Sequence, residues 1–281
     1  MKEKVITEQE LESFRKWLIL EEKSESTVEK YLRDVAGFAS FADGQAVTKE
    51  RVLSYKAALL EEGYAPRSVN SMLASLNSFF LFAGWGECRV RSIRMQKKAY
   101  CSEDKELTRS EYERLVFAAR KKGNDRLELI LQTICGTGIR VGELKYITVE
   151  AARQGAAIIS LKGKTREILI EKKLKKLLLS YAERKEIKSG PLFITRSGKP
   201  VCRSNIWKEM KELCIEAKVE PGKVFPHNLR HLFARIFYSI QKDLAKLADL
   251  LGHSSIETTR LYIISTGAEH RRTLEKMRLI L

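Results

Sequence analysis

This sequence predicts a mainly α-helical protein with one small β-hairpin. It divides into a four-helix N-terminal unit and a larger, mixed but mostly helical second unit. Three observations carry that expectation. Apolar residues recur at helical spacing along most of the 281 residues. Capping residues or proline stand at the head of many of these runs, and glycine closes several of them. A single stretch, "AAIISLKGKTREILI", shows two branched-apolar runs around a short polar turn.

In the first unit, "EQELESFRKWLILE" places Leu11, Phe14 and Leu18 on one helical face. After "KSES", with Ser26 or Thr27 as the cap, Val28, Tyr31, Leu32, Val35 and Phe38 form the stripe of a second helix. Thr48 caps "KERVLSYKAALLEE", Gly63 ends it, and Pro66 opens "PRSVNSMLASLNSFFLFAGW". Residues 1–86 therefore form a small all-α unit, with Lys30, Arg33, Arg51, Lys56 and Arg67 suggesting a phosphate-facing side. Residues 87–106 break the periodicity and carry Arg94, Lys97 and Lys98 among other cations, as a basic interdomain linker would.

The second unit, residues 107–281, opens on a capping box, Thr108 with Glu111. An apolar helix runs to Cys135, then a glycine-bearing turn, then a short helix from Arg140. The hairpin follows, presenting lysines at its tip, and then two further helices. Gly252 reads as the C′ glycine of a leucine-rich helix, and Ser254 with Glu257 as a capping box for the next. That places His253 in a turn and Tyr262 about two turns into the following helix. Nine residues of straight helix span roughly 13 Å. On that geometry His253 and Tyr262 meet one ligand only if their side chains converge or the helix bends, unless Tyr262 serves a neighbouring subunit. A basic amphipathic helix after Gly267, with Leu274, Met277, Leu279 and Ile280 apolar, ends the chain.

The formal charge of +16 points to a polyanionic partner, since the excess lies in clusters between ordered segments. No run of about 18 uncharged apolar residues suggests a membrane span, and the acidic, polar start is no secretory signal, so cytoplasmic residence is expected. The five cysteines are scattered and lack CxxC spacing, which predicts free buried thiols and neither disulfides nor zinc. His227 and His231 have the i,i+4 spacing of a helical metal site. Asn228 stands where a metalloprotease needs glutamate, however, and Arg230 repels a cation, so no metal site is expected.

The residues that remain suit phosphate chemistry. Breaking a DNA strand needs a nucleophile, charge stabilisation at phosphorus and a proton for the departing 5′ oxygen. A tyrosine can be the nucleophile and keep the bond energy in an ester, but a free phenol titrates near 10 and needs help to lose its proton. Guanidinium forks match non-bridging phosphate oxygens, and a lysine beside another cation is a competent acid. Taken singly, Arg140 is equally a surface partner of Glu143, and Tyr262 a core residue.

Together, Arg140 in "GTGIRVGEL", His227 and Arg230 in "HNLRH", His253 in "LLGHSS" and Tyr262 in "TTRLYI" resemble the R…K…HxxR…H…Y signature of the tyrosine recombinases, the phage-integrase and Xer-like family. The resemblance spans nearly the whole chain. It implies that residues 1–86 are a SAM-like core-binding domain and 107–281 a catalytic domain. Arg140 and Arg230 would clamp the scissile phosphate, His227 would assist proton transfer, His253 would hold a non-bridging oxygen, Tyr262 would attack, and Glu143 would buttress Arg140. The hairpin departs from the family pattern: it is shorter and lacks the usual proline, Leu169 or Ile170 standing in its place. Lys162 aligns best as the general acid, and Lys164 is the alternative.

The family's activity would be site-specific recombination of double-stranded DNA through a 3′-phosphotyrosyl intermediate, without cofactor, ATP or metal. Protomers would clamp duplex DNA between their two domains and assemble as a tetramer on two sites, with accessory DNA-bending proteins as further partners. The terminal helix would link subunits or pack on its own domain. Integration and excision of a mobile element, and resolution of chromosome dimers, both fit. A catalytically silent DNA-binding regulator and a type IB topoisomerase are the rival readings.

Overall fold

Thr7 and Glu10 cap each other's backbone at the start of α1 (Glu8–Leu20) in the computed structural model of the chain, with Thr7 N donating to Glu10 Oε2 at 2.9 Å. The structure describes residues 4–95, 105–161, 164–262 and 275–277, and of Leu161 and Lys164 the backbone alone. The chain separates into two units, Met1–Lys97 and Lys98–Leu281.

The first unit holds α1, α2 (Glu25–Ala42), α3 (Lys49–Glu61) and α4 (Pro66–Phe82). Their apolar stripes meet in one core that includes Phe14, Leu18, Val35, Phe38, Leu76 and Phe79. Phe14 and Phe79 pack edge to face with ring centroids 5.2 Å apart. The cap of α2 is Ser24 rather than Ser26 or Thr27, and it makes no side-chain cap bond. Residues 87–93, expected in the linker, run back against α4. Asn77 and Asn70 each bond a loop residue in both directions, Asn77 to Val90 and Asn70 to Ile93, and Val90 is buried.

Three of the basic residues expected to face phosphate are half-buried and hydrogen-bonded within this unit. Lys30 Nζ donates to Asp34, to Ser75 Oγ and to the Ser71 carbonyl, because a carboxylate as buried as Asp34 needs its cation. Arg51 donates to the Ala46 carbonyl and Gln45, and Lys56 to the Arg91 carbonyl. Arg33, Arg67 and Arg94 are exposed. Lys97 and Lys98 lie outside the described residues.

In the second unit, α6 (Asp125–Thr137) is the central helix, packed by α5 (Arg109–Lys121), α8 (Lys172–Arg184), α9 (Arg203–Ala217) and α10 (Pro226–Gln241). Its Leu127, Ile130, Leu131 and Ile134 are buried in the main core. It runs two residues past Cys135 and stops at Gly138, whose φ is +65°. The short helix after Arg140 is a 3₁₀ helix, Val141–Tyr146, followed by α7 (Val149–Gln154), which periodicity alone had not revealed because it is too short to show a stripe. Strands β1 (Ala156–Leu161) and β2 (Lys164–Leu169) form the antiparallel hairpin, with Leu161 paired to Lys164 and Ile159 to Arg166.

Lys242, in the left-handed region at φ +55°, breaks α10 from α11 (Leu244–Leu251), which Asp243 caps. Gly252 closes α11 at φ +61°. The next helix, α12 (Ile256–Arg260), is only five residues long. Its N-cap is Ser255, without a side-chain cap bond, so the Ser254–Glu257 capping box does not form. Tyr262 lies just past the end of α12 rather than two turns inside it. Of the terminal helix only residues 275–277 are described, and these are helical. Cys88 and Cys214 are buried and Cys135 is partly so, but Cys202 is exposed, against the expectation of buried thiols. Among the described residues no helix is long and apolar enough to cross a membrane.

Candidate active site

The site is built on the C-terminal end of α11. A helix ends in carbonyls that lack partners and carry partial negative charge. Here those carbonyls gather three guanidiniums. Arg166 Nη1 donates to the Leu250 carbonyl at 3.3 Å and to that of Leu251. Arg230 Nη2 donates to the Leu251 carbonyl at 2.7 Å, and Arg140 Nη2 to that of Gly252 at 3.3 Å. Arg140 and Arg230, 90 positions apart in sequence, thus hang from adjacent peptide groups.

Arg230 is 1 % exposed. Its Nη1 donates to the Gly138 carbonyl and its Nη2 also reaches His253 Nε2 at 2.9 Å, while its Nε–H is buried with no acceptor among the described residues. Burial first, and the charge of Arg140 second, pull Arg230 down to about 10, which leaves it a cation at neutral pH. Arg140 is exposed. Its backbone N–H donates to Glu143 Oε2 at 2.9 Å and its Nη1 to Oε1 at 3.1 Å, so the buried Glu143 carboxylate fixes both ends of the residue. The surface-pair alternative does not describe this contact, since Glu143 is 4 % exposed and also accepts from Arg166 Nη2.

Gly138 is needed twice over at the base of this arrangement. Its positive φ disfavours any side chain, and a Cβ there would stand 2.5 Å from the Phe233 ring. Gly138→Ala is expected to lower stability by about 1–2 kcal/mol from backbone strain alone. Because Phe233 must move, a calorimetric melting temperature should fall further than that strain accounts for.

His253 sits in the turn between α11 and α12. Arginine can only donate, so His253 Nε2 accepts from Arg230 and its proton lies on Nδ1, which donates to Thr259 Oγ1 at 2.8 Å. Thr259 is fully buried, which locks the ring. Tyr262 turns back over this cluster because α12 is so short. The separation implied by nine residues of straight helix therefore does not arise, and His253 and Tyr262 have ring centroids 5.1 Å apart. The Tyr262 ring also lies 5.9 Å from the Arg230 guanidinium carbon, and its hydroxyl is 3.3 Å from His227 Nε2. His231 stacks on the same ring, with centroids 4.1 Å apart and planes 18° apart.

All three histidines are held below the ordinary imidazole range, by burial first and by Arg230 among neighbouring cations. His231 and His253 fall to about 4, and His227 shifts in the same direction. In the folded protein they are neutral at pH 7. Below pH 6.5 the unfolded chain takes up protons that the folded chain refuses until about pH 4. Stability is therefore expected to be full above pH 6.5 and to fall as the pH drops toward 4. His231→Phe keeps a ring against Tyr262 and removes one titrating group, so the decline in melting temperature across that window should become shallower.

Arg140, Arg230, Glu143, His227, His253 and the Tyr262 hydroxyl share one pocket of the second unit. Lys162 and the side chain of Lys164 lie outside the described residues. Among the described residues, no three His, Cys, Asp or Glu side chains are grouped to hold a metal. Residues 105–269 match the phage integrase family, and residues 11–86 match the phage integrase N-terminal SAM-like domain. The chain belongs to the phage integrase family. It is a tyrosine recombinase, 30 % identical over 290 residues to tyrosine recombinase XerA of Pyrococcus furiosus, with 100 % of this chain and 98 % of the relative covered.

The integrase fold extends to solved structures. A lambda integrase dimer bound to a COC′ core site superposes with a TM-score of 0.73 at 18 % identity, covering 92 % of this chain and 78 % of that one. The XerH site-specific recombinase bound to its difH substrate gives 0.70 at 19 % identity, covering 95 % and 84 %. Within this integrase-family site, sequence reasoning missed two residues, Arg166 and Thr259. Arg166 did leave a signal. Ala157, Ile159 and Ile168 are buried on one face of the hairpin, and the register puts Arg166 on that same face, opposite Ile159. A charged residue at a core-facing position marks an internal partner.

Proposed function

We propose that this tyrosine recombinase cuts and rejoins duplex DNA at specific sites through a 3′-phosphotyrosyl link made by Tyr262. The observation that carries the reading is the Tyr262 hydroxyl, 3.3 Å from a neutral His227 Nε2 and packed beside the Arg230 guanidinium. In this scheme Arg140 and Arg230 hold the two non-bridging oxygens, and the unpartnered Arg230 Nε–H is one donor still to be filled. The phenol oxygen bonds to phosphorus as its proton passes to His227. The bond to the 5′ oxygen breaks, and that oxygen takes a proton from a hairpin lysine, Lys162 or Lys164. Attack by a 5′-hydroxyl of the partner strand runs the same steps backwards.

His253 joins last. A phosphate oxygen that takes over the Arg230 Nη2–H frees His253 Nε2, which can hold the same oxygen only once that nitrogen carries a proton. The negative charge of the phosphate favours that protonation. Each task has a side chain, so the scheme calls for neither cofactor nor ATP nor metal.

In this reading residues 1–86, with 87–93 packed back on them, are a core-binding domain, the stretch from there to 106 a connector and 107–281 the catalytic domain, acting on DNA in the cytoplasm. Arg33, Arg67 and Arg94 are the exposed cations of the first unit that remain candidates for phosphate contact. Protomers grip the duplex with both domains and assemble as tetramers on paired sites, assisted by DNA-bending proteins. Relatives of the same fold captured on a core site and on a difH substrate support duplex DNA as the partner.

The test uses a nicked duplex carrying a site that this protein enriches from a random library. A protein–DNA adduct that survives denaturant supports the reading. Tight binding with no adduct would leave the silent regulator, and relaxation of a supercoiled plasmid lacking the site would favour the topoisomerase.

A further inference from the structure

Arg166 belongs to the hairpin, yet its guanidinium spans to two other elements. Its side chain is 14 % exposed. Nη2 donates to Glu143 Oε2, the oxygen that also accepts the Arg140 backbone N–H at 2.9 Å. Nη1 donates to the Leu251 carbonyl, the acceptor that also takes Arg230 Nη2 at 2.7 Å. Arg166 therefore shares one acceptor with each of the two arginines assigned to the phosphate. The turn is shaped to admit it, since a Cβ on Gly252 would stand 2.4 Å from Arg166 Cδ.

The sharing has a physical consequence. Three guanidiniums in one pocket repel one another, and Glu143 is the carboxylate set among them. With Oε2 held by Arg166 and a backbone N–H, Glu143 presents Oε1 to Arg140 at a single Nη1, 3.1 Å away. A carboxylate freed from Arg166 can close on the Arg140 guanidinium through both oxygens, the favoured fork-to-fork geometry, and draw it away from a phosphate. At the helix end, losing Arg166 leaves the Leu251 carbonyl to Arg230 alone and strengthens that competing bond.

We infer that Arg166 is a positioning residue that keeps Arg140 and Arg230 available to the scissile phosphate by occupying the acceptors they would otherwise saturate. This rests on the reading of those two arginines as the phosphate clamp.

The experiment compares adduct formation on two versions of the library-selected nicked duplex, one with an ordinary scissile phosphodiester and one with a methylphosphonate there. The methylphosphonate has one non-bridging oxygen replaced by methyl and carries no charge, so it depends less on the clamp. Arg166→Met is expected to keep its melting transition and bind the site within a few-fold of wild type. It should cleave the phosphodiester about 100-fold more slowly, an effect of the size seen when one preorganised donor is lost. On the methylphosphonate that deficit should shrink to less than about tenfold. Arg166→Lys, which retains the charge but not the fork, should show a smaller deficit with the same dependence on phosphate charge.

Equal deficits on both substrates, an unchanged rate, or loss of folding in both variants would overturn the inference. Arg140→Ala is the control for the underlying reading. If its deficit fails to shrink on the methylphosphonate, the clamp itself is misassigned and the inference falls with it.

Discussion

Tyr262→Phe is expected to abolish covalent capture of DNA while leaving the fold and the binding of the site nearly intact. The ring is 6 % exposed and packs with Ala234, Leu247 and Leu251, and phenylalanine fills that space without change. Stacking on His231 survives as well, since it needs only the ring face. What disappears is one oxygen and a 3.3 Å hydrogen bond to His227, a contact at the long end of the range and worth about 1 kcal/mol or less. The melting temperature should therefore move little. Site affinity by gel shift should stay within about threefold, because the oxygen is one group among many phosphate contacts. Under the proposed mechanism the variant lacks its nucleophile, so no denaturant-resistant adduct should form even after prolonged incubation. An adduct at any appreciable yield would move the nucleophile to another residue.

That this tyrosine sits beside its partners is a matter of three-dimensional geometry that spacing alone misjudged. Residue types and order were readable: arginine, then histidine with arginine three residues on, then histidine, then tyrosine. Their convergence was not, because it depends on where α12 stops. A capping box at Ser254 and a longer helix would have carried Tyr262 away from His253. With Ser255 as the cap and five helical residues, the chain turns back instead. Short helices of this kind are set by what they pack against and not by propensity, so sequence periodicity places their ends poorly.

The first unit shows the same division. Its four helices announce themselves through caps and stripes, since one-sided burial imposes a period on the sequence. The jobs of its cations do not. Lys30, Arg51 and Lys56 read as phosphate-facing, but Lys30 pairs with Asp34 one turn on in α2 and with Ser75 of α4, Arg51 with the nearby Ala46 carbonyl, and Lys56 with the distant Arg91 carbonyl. Arg166 is the converse case. An unremarkable arginine in the sequence, it becomes a link between the hairpin and α11 once the strand register is known.

Arg230→Ala is expected to have the second largest effect, and it should separate catalysis from binding. The guanidinium, itself buried, serves the carbonyls of Gly138 and Leu251 and the Nε2 of the half-buried His253. Alanine leaves the Gly138 carbonyl and His253 Nε2 without this donor, the Leu251 carbonyl keeping Arg166, at a cost of about 1–3 kcal/mol for each that stays dry. A clear fall in melting temperature should follow. Catalysis loses a cation aimed at the charge that develops on phosphorus. Removal of one neutral donor at such a site typically costs about 10²–10³ in rate, so a charged fork should cost at least about 10³. Arg230→Lys keeps the charge but not the planar fork that reaches several acceptors, and should recover stability better than rate. The pH response tests the same arrangement. Arg230 is one of the causes holding His253 near 4, so the alanine variant should let His253 take a proton at higher pH. Its NMR titration midpoint is then expected to move up toward 6.5. A midpoint that stays near 4 would mean that burial and the remaining arginines suppress His253, and that Arg230 does not govern it.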